Sequence, residues 1–365
     1  MSLRNCSRIS GLLTAFLLGS VAAHSQSTLS GTVKDAQTGE PVPYANVFFS
    51  HTTMGSSTLE DGAFTIHRIP NGKYDLMVFV VGYKRYKLPV EFQESNYKLD
   101  IVLDQDTINL KAVTIVADQS DKKYYPIFEK YFLGETENSK ECKFMNPETL
   151  RFFYDQKSNV LYVHATDPLV VVNRALGYKL IFILDIFQLD YKTSIKITEG
   201  IPRYEELPFR SRRDSISRVK RRLEAYHGSL NHFMRSLFSN SLKEQGFQAS
   251  IVDSVKLHDY RQVERPADIN TSDYVKGDLV KTFTYQGILK VSYKKESESW
   301  RYTYSRNDTH QVSFITFKNS SLTLFENGYY LDQLGVFLEG YMVWDETASN
   351  MLPIGYNVSV KQKRK

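Results

Sequence analysis

The histidines of this chain come first, because imidazole binds zinc and serves as a general base. His164 and Asp167 stand three positions apart on a predicted strand, where that spacing places side chains on opposite faces. His227 and His232 are five apart, which separates them by roughly 140° on a continuous helix of 3.6 residues per turn. The intervening Gly228 could bring the rings together, but we expect surface or capping histidines. No HExxH motif occurs, so we predict neither a metal nor another cofactor.

Carboxylate and serine chemistry have no better support. Glu205 and Glu206 are adjacent, so on a strand they point in opposite directions and cannot form one acid/base pair. Ser229 sits at a predicted helix junction without an assigned base, and the chain has no GxSxG elbow and no glycine-rich phosphate loop. We therefore expect no catalytic residues and favour a protein that is not an enzyme.

A basic segment is the one charge feature that suggests a binding site. Guanidinium groups bind phosphate and carboxylate oxygens in pairs, so such a segment can form a patch for lipid phosphates or acidic glycans. The alternative is a solvated helix face. Against a single acidic residue, Asp214, the segment sets seven basic ones, Arg210, Arg212, Arg213, Arg218, Lys220, Arg221 and Arg222.

The first 25 residues predict a secretory signal peptide. Arg4 and Arg8 provide a positive start, Gly11–Ala23 is a short apolar run, and cleavage is expected after Ala23 or Ser25. We therefore expect an exported protein of the periplasm or the outer-membrane periphery, or a secreted one. No later apolar run reaches membrane-spanning length, so we expect no transmembrane segment in the mature chain.

Charge and cysteine content narrow the class further. A net charge of +5 over 365 residues is mild and does not indicate nucleic acid as a partner. Only Cys142 lies beyond the predicted signal, so the mature chain cannot form an internal disulfide. Its stability must come from packed cores, and about 340 residues are enough for two domains of about 100–200 residues each.

Residues 26–117 show the period-two pattern of short strands. Turn signals at Thr38–Pro41, Asp61–Gly62 and Pro70–Gly72 separate the apolar runs. Short strands at this spacing predict an antiparallel β-sandwich. The residues that alternate on one strand face are Leu29, Gly31, Val33, Ala45, Val47, Phe49, Phe64, Ile66, Tyr74, Leu76, Val78, Val80, Leu99, Ile101 and Leu103.

A longer motif covers the same segment. Its members are Gly31, Val33, Asp35, Thr38–Pro41, Ala45, Val47, Gly62, Phe64, Ile66, Pro70, Gly72, Tyr74 and Gly82–Tyr83. The motif resembles the carboxypeptidase regulatory-like domain, a transthyretin-like β-sandwich. The resemblance implies that fold and a non-catalytic role, because this module carries none of the zinc ligands of the carboxypeptidases it accompanies. The module also resembles the N-terminal extension of TonB-type outer-membrane receptors. The segment Ile108–Ala117 resembles the strand that closes that extension.

A polar connector, Asp118–Lys123, is the predicted boundary to a second domain that spans residues 118–365. Tyr124–Leu133 predicts a helix and Leu150–Leu207 predicts antiparallel strands. We expect this α+β domain to combine an antiparallel sheet with two or three helices.

Local signals place the helices of the second domain. Apolar residues follow helical spacing from Val219 to Leu237, with Ser229 as a predicted N-cap and Gly246 as a predicted terminator. Strands return afterwards, and Asn327–Gly328 predicts a hairpin turn.

The second domain resembles the C-terminal part of uncharacterised Gram-negative envelope proteins that pair it with the sandwich. That resemblance implies no activity, and it rests on Asn146–Pro147, Pro168–Leu169, Ala175–Tyr178 and Arg222–Leu237.

These observations favour a non-enzymatic binding or scaffolding protein of the bacterial cell envelope. The sandwich would be an adaptor, and the second domain would bind the partner, an envelope protein or an anionic glycan or lipid. A different kind of binding role is also open, that of a subunit that adds a strand to the sheet edge of a larger receptor. The main alternative is an envelope hydrolase of the peptidase or glycosidase type, in which one deep pocket gathers His164, Glu205 or Glu206, and His227 or His232.

Overall fold

The computed structural model describes residues 26–93, 95–106, 120–252, 268–303, 309–331 and 335–356. The predicted signal peptide, the predicted closing strand Ile108–Ala117 and the first two residues of the predicted connector lie outside the described residues. Within them, strands dominate, and the predicted fold class of a β-sandwich followed by an α+β part is confirmed.

Two four-stranded sheets form the N-terminal sandwich. The first has the order β4-β1-β7, with β8 also paired to β1, and the second has the order β3-β2-β5-β6. All pairs are antiparallel except β1 with β7 and β1 with β8, which are parallel. The strands are β1 (Ser27–Asp35), β2 (Asn46–Phe49), β3 (Gly55–Ser57), β4 (Ala63–Ile69), β5 (Gly72–Phe79), β6 (Tyr86–Phe92), β7 (Asn96–Lys98) and β8 (Ile101–Leu103).

The sandwich core contains most of the residues predicted to alternate on one face. Leu29, Val33 and Phe49 are among those buried between the two sheets, while Val80 and Leu99 are only partly buried against them. Gly31 also lies in this interior, where an added Cβ would come within 1.8 Å of the Leu99 carbonyl oxygen. The first glycine of the motif is therefore required by a close backbone approach.

A six-stranded antiparallel sheet covered by a helix opens the second part of the chain. Its strand order is β10-β11-β13-β12-β9, with β14 paired along the free side of β13. Helix α1 turns Tyr124, Phe128 and Phe132 into the core beneath this sheet. The elements are α1 (Ser120–Leu133), β9 (Cys142–Phe144), β10 (Leu150–Asp155), β11 (Val160–Ala165), β12 (Leu169–Asn173), β13 (Tyr178–Asp190) and β14 (Lys196–Glu206).

Helices and two smaller sheets complete the described residues. The sheets have the orders β15-β18-β19-β21 and β16-β17-β20. They share a second hydrophobic core with α3 and α4. The elements are α2 (Arg212–Tyr226), α3 (Leu230–Phe238), α4 (Leu242–Gln245), β15 (Phe247–Val252), α5 (Thr271–Tyr274), β16 (Val275–Lys276), β17 (Lys281–Thr284), β18 (Ile288–Tyr293), β19 (Gln311–Phe317), β20 (Ser321–Leu324), β21 (Val336–Gly340) and α6 (Tyr341–Asp345).

The helix-capping residues predicted from the sequence lie at helix ends in the structure. The Ser229 hydroxyl accepts a hydrogen bond from the amide of His232 and caps α3. Gly246 ends a helix in the left-handed conformation, with φ of 97°, although that helix is the short α4 and not α3. Three helices have nine residues or more, and the others among the described residues are single turns.

Main-chain hydrogen bonds join the sandwich to the second part at the turn after β2. The amide of His51 donates to the carbonyl of Pro202 at 2.7 Å, and the carbonyl of Thr52 accepts from the amide of Tyr204 at 3.0 Å. The carbonyl of His51 accepts from the amide of Ile354 at 2.8 Å. This turn thus pairs with β14 in the manner of a short added strand.

Side chains extend this interface beyond the turn. Phe48 and Met77 lie on the outer face of their sheet and pack against Ile183 in a small cluster of buried residues. The Tyr329 hydroxyl donates to the Asp75 carboxylate at 2.9 Å. The sandwich is therefore docked through the outer face of the β3-β2-β5-β6 sheet.

We expect Gly31→Ala to destabilise the sandwich by about 1–3 kcal/mol, because overpacking a close backbone contact forces the strands apart. Gly355→Ala is the matched control, since an added Cβ there has no neighbour within 4 Å in the part of the chain that the structure describes. Chemical denaturation of both variants measures the difference. Equal unfolding midpoints would contradict the close approach at Gly31.

We expect Tyr329→Phe to weaken the docking interface by about 1.5–3 kcal/mol, the range for hydrogen bonds to charged groups. The change removes one donor from Asp75, which is only 9% exposed, and leaves Lys87 as its ion-pair partner. The control is Tyr44→Phe, because Tyr44 is 66% exposed. Thermal unfolding that shifts equally in the two variants would show that the Tyr329 hydroxyl does not stabilise the interface.

Candidate functional site

An open cleft of about 420 Å³ lies at the start of α2. Four residues of the predicted basic segment line it, together with Arg174, which sequence reasoning missed because it stands alone in a turn. Five guanidinium groups thus face two carboxylates. The lining residues are Glu141, Arg174, Ala175, Arg210, Ser211, Arg213, Asp214, Ser217, Arg218 and Arg221. We call this site the arginine cleft.

The first turn of α2 positions the cleft. Ser211 is the N-cap, and its hydroxyl accepts from the amide of Asp214 at 3.1 Å. The Asp214 carboxylate accepts from the amide and the guanidinium of Arg210 at 3.0 and 2.7 Å and pairs with Arg218 at 2.8 Å. Hydrogen bonds from Arg210, supported by the charge of Arg218, lower the pKa of Asp214 to about 2. Asp214 is therefore ionised at neutral pH and belongs to the frame of the site.

Two arginines of the basic segment are structural. Arg222 is 9% exposed; its Nε donates to the carbonyl of Leu176 at 2.7 Å, and its guanidinium lies 3.9 Å from the ring centroid of Tyr178. Arg218 is 2% exposed and donates to the carbonyl of Leu207 at 2.8 Å. Both side chains reach under α2 and hold it on the sheet, so the seven basic residues do not form one exposed patch.

Gly177 makes room for one of these buried arginines. It adopts φ of +71°, and an added Cβ would lie 2.4 Å from Cδ of Arg218. The turn before β13 is therefore shaped around the arginine side chain.

The remaining basic residues differ in whether a nearby carboxylate neutralises their charge. Arg221 pairs with Glu141, and Lys220 pairs with Glu224 at 3.5 Å. In the part of the chain that the structure describes, no carboxylate lies within 4 Å of the basic groups of three exposed residues, Arg174, Arg212 and Arg213. Of these three, Arg174 and Arg213 line the cleft and Arg212 does not.

The histidine pair at the junction of α2 and α3 is satisfied internally. Gly228, with φ of 78°, brings the rings of His227 and His232 to a centroid distance of 5.6 Å. His232 Nδ1 accepts from the amide of Gly228 at 3.2 Å, and Nε2 lies 3.2 Å from Oε1 of Gln245. His232 is buried, not on the surface as expected, because aromatic rings surround it, and burial lowers its pKa to about 4. His227 lies 3.5 Å from a carboxylate oxygen of Glu296.

The two adjacent glutamates are used in different ion pairs. Glu205 pairs with Lys179 at 3.0 Å and with Arg203 at 3.4 Å, whereas Glu206 pairs with Arg222 at 3.1 Å. Neither glutamate lines either of the two described pockets.

The other groups required by the hydrolase alternative are dispersed as well. His164 is exposed on β11, and neither His164, His227 nor His232 lines either of the two described pockets. Within the described ranges, no cluster of three or more His, Cys, Asp or Glu residues could hold a metal ion. The thiol of Cys142 is half-buried, and burial raises its pKa to about 12.

A second, smaller cavity of about 180 Å³ lies between the sandwich and the second part. His51 contributes from the sandwich side, and Tyr204, Tyr330 and Glu346 are among the residues on the other side. The Glu346 carboxylate accepts from the amide of Leu230 at 2.6 Å, and burial raises its pKa. The Tyr204 hydroxyl is buried and has no hydrogen-bond partner among the described residues. No sequence signal marked this cavity, because its walls come from five separate segments.

Comparison with known proteins identifies the N-terminal part. Residues 29–115 match the model of the CarboxypepD_reg-like domain, which confirms the predicted module. A curated relative, the TonB-dependent receptor SusC of Bacteroides thetaiotaomicron, is 35% identical over 112 residues, which cover 31% of this chain and 10% of the receptor. The chain thus spans about a tenth of the length of the curated relative that it matches.

Similar solved structures add little. A DUF3823 family protein from Bacteroides uniformis is 11% identical over 50% of this chain and 84% of its own, with a TM-score of 0.19. The minor pilin of Streptococcus agalactiae is 14% identical over 22% of this chain and 45% of its own, with a TM-score of 0.18. We draw nothing from likenesses at these scores. In the part of the chain that the structure describes, no helix combines the length and the apolar character needed to cross a membrane.

We expect His51 to make the docking interface sensitive to acid. Burial lowers the pKa of His51 to about 4, against an ordinary value of about 6.5. Between these values the unfolded chain binds the proton more readily, so this contribution to stability is complete above pH 6.5 and is lost as the pH falls towards 4. His51→Asn, which tolerates the positive φ of this position, should therefore lose less stability between pH 7 and pH 4.5 than the parent.

Unfolding midpoints at several pH values measure this difference. Burial also raises the pKa of Asp345 to about 7, and this shift makes stability fall as the pH rises, which is opposite to the effect of His51. The change in stability with pH is therefore compared between the parent and each variant. His67→Asn serves as the control because His67 is exposed on β4. A parallel pH profile for parent and His51→Asn would contradict the role of His51.

Proposed function

We propose that this chain is a non-enzymatic binding or scaffolding protein of the bacterial cell envelope, exported to the periplasm or the periphery of the outer membrane. The observation that carries the proposal is the arginine cleft, an open basic site on the second part of the chain. Glu205, Glu206 and His232, by contrast, are engaged in separate ion pairs and hydrogen bonds. The CarboxypepD_reg-like domain, the receptor match and the predicted signal peptide support the envelope location.

The docked sandwich suits an adaptor. One of its sheets is used against β14, so a partner in the envelope would meet the other sheet, β4-β1-β7. Thr65 and His67 are exposed on β4, and β4 lies at the end of the strand order. The sandwich and the arginine cleft would then present two different surfaces to two different partners.

Charge defines the partner of the second part. Exposed guanidinium groups without a neighbouring carboxylate attract anionic groups and hold them through paired hydrogen bonds. Anionic lipid headgroups and acidic glycans both offer such groups in an envelope. The mild overall charge of +5 favours a local site over general attachment to nucleic acid.

We expect the full chain to bind vesicles of phosphatidylglycerol and phosphatidylcholine, and to bind vesicles of phosphatidylcholine alone far less. Binding should weaken as salt rises, because exposed charges are screened within about 10 Å at 0.1 M salt. The double variant Arg212→Glu and Arg213→Glu should bind at least about tenfold less, since each basic residue near an anionic surface contributes about 1 kcal/mol. Vesicle co-sedimentation measures the bound fraction.

The control carries the same change of charge elsewhere. Lys122→Glu and Lys123→Glu lie on exposed positions of α1 and should leave vesicle binding within about twofold of the parent. Equal loss in both double variants would indicate nonspecific attraction, and no binding by the parent would rule out anionic lipid as the partner of the second part.

A further inference from the structure

The arginine cleft is arranged more specifically than a basic surface. Arg174 comes from the turn between β12 and β13, whereas Arg213 comes from the first turn of α2, and both line the same cleft. Among the described residues, neither guanidinium has a carboxylate partner within 4 Å, while Arg210 and Arg221 are each paired with an acidic group. Two unbalanced guanidinium groups therefore approach one space from different directions.

The start of α2 adds donors to the same space. Ser211 caps the amide of Asp214, and its carbonyl accepts from the amide of Ser215. Within the described ranges, the amides of Arg212 and Arg213 have no acceptor. Free amides at the start of a helix of 15 residues carry the positive end of its dipole and bind anions.

A third arginine of the cleft is buried and held in place. Arg218, which is 2% exposed, lines the cleft. Its Nη1 and Nη2 atoms are bonded to Leu207 and Asp214, but its Nε atom is buried and has no partner in the part of the chain that the structure describes. This atom is buried beside Gly177, so Arg218 fixes the wall of the cleft through its two bonded nitrogen atoms and leaves ligand binding to the exposed groups.

We infer that the arginine cleft binds a phosphate monoester, held between Arg174 and Arg213 above the first turn of α2. Such a group carries a charge of about −1.5 to −2 at pH 7 and three acceptor oxygens. Its tetrahedral shape suits donors that converge from two turns and a helix end, whereas a planar carboxylate would use only one pair of them. The volume of about 420 Å³ leaves room for part of the molecule that bears the phosphate.

This inference rests on the proposed function, because it names the chemical group through which the second part holds its partner. The phosphate monoester could belong to a lipid headgroup or to a soluble compound. The experiment separates these sources with short-chain phosphatidic acid and inorganic phosphate as probes.

Isothermal titration of the full chain tests the inference. We expect inorganic phosphate to bind more tightly than acetate by tenfold or more, and to bind more tightly at pH 7.5 than at pH 5.5 as its second proton leaves. Sulfate, whose charge does not change over this range, should show a much smaller pH effect. Tighter binding of short-chain phosphatidic acid than of phosphate would assign a lipid source, and equal binding would assign a soluble one.

Three single variants test the role of the cleft arginines, and one of them is a matched control at an adjacent position. Arg174→Gln and Arg213→Gln should each weaken phosphate binding by about tenfold or more, because each removes a charge-assisted donor pair. Arg212→Gln removes the same charge one position away, outside the cleft, and should change binding by less than twofold. All three residues are exposed, so we expect the fold to be retained, which circular dichroism verifies.

The outcomes separate this inference from the proposed function. Equal loss in Arg212→Gln and Arg213→Gln, or acetate binding as tight as phosphate, would overturn the inference even if vesicles are bound. Phosphate binding that requires Arg174 and Arg213, with neither vesicle binding nor tighter binding of short-chain phosphatidic acid, would sustain the inference and remove the membrane part of the proposal.

Discussion

The architecture depends on backbone hydrogen bonds formed by two residues. His51 and Thr52, at the turn after β2, exchange main-chain hydrogen bonds with Pro202, Tyr204 and Ile354. A buried amide or carbonyl left without a partner is costly, so these groups must stay together once the surrounding side chains exclude water. The sandwich is for this reason part of the same packed body as β14 and the segment before residue 356.

The arginines around α2 show how one residue type serves two purposes. Arg218 and Arg222 are buried and bonded to backbone carbonyls, so they fix the helix to the sheet and orient its first turn. Arg174 and Arg213 remain exposed at the place thus created. The binding site is therefore a product of the buried pair, since without it the start of α2 would have no fixed relation to the turn that carries Arg174.

Local chemistry explains what the sequence could predict. The apolar alternation in the sandwich, the turn at Asp61–Gly62 and the N-cap at Ser229 depend on neighbours a few positions away, and the structure has them where they were expected. Phe48 and Phe49 are a further sequence feature of this kind. Consecutive buried apolar residues on a strand indicate that both of its faces are covered. The docking face of the sandwich could have been found from it.

Whether each arginine is buried or exposed could not be predicted from the sequence, because it depends on contacts with residues far away along the chain. The Arg222 guanidinium donates to the carbonyl of Leu176, 46 positions earlier, whereas the Arg213 guanidinium has no such acceptor among the described residues. Nothing in the spacing of the basic segment separates these two cases. Arg174 was missed for a related reason, since only the fold brings its turn beside the start of α2.

The close contact between Gly177 and the buried Arg218 has an evolutionary consequence. A side chain at position 177 and an arginine at position 218 exclude each other, because they would occupy the same volume. Related chains that keep arginine at position 218 should therefore keep glycine at position 177, and the positive φ favours glycine there even where the arginine has been replaced.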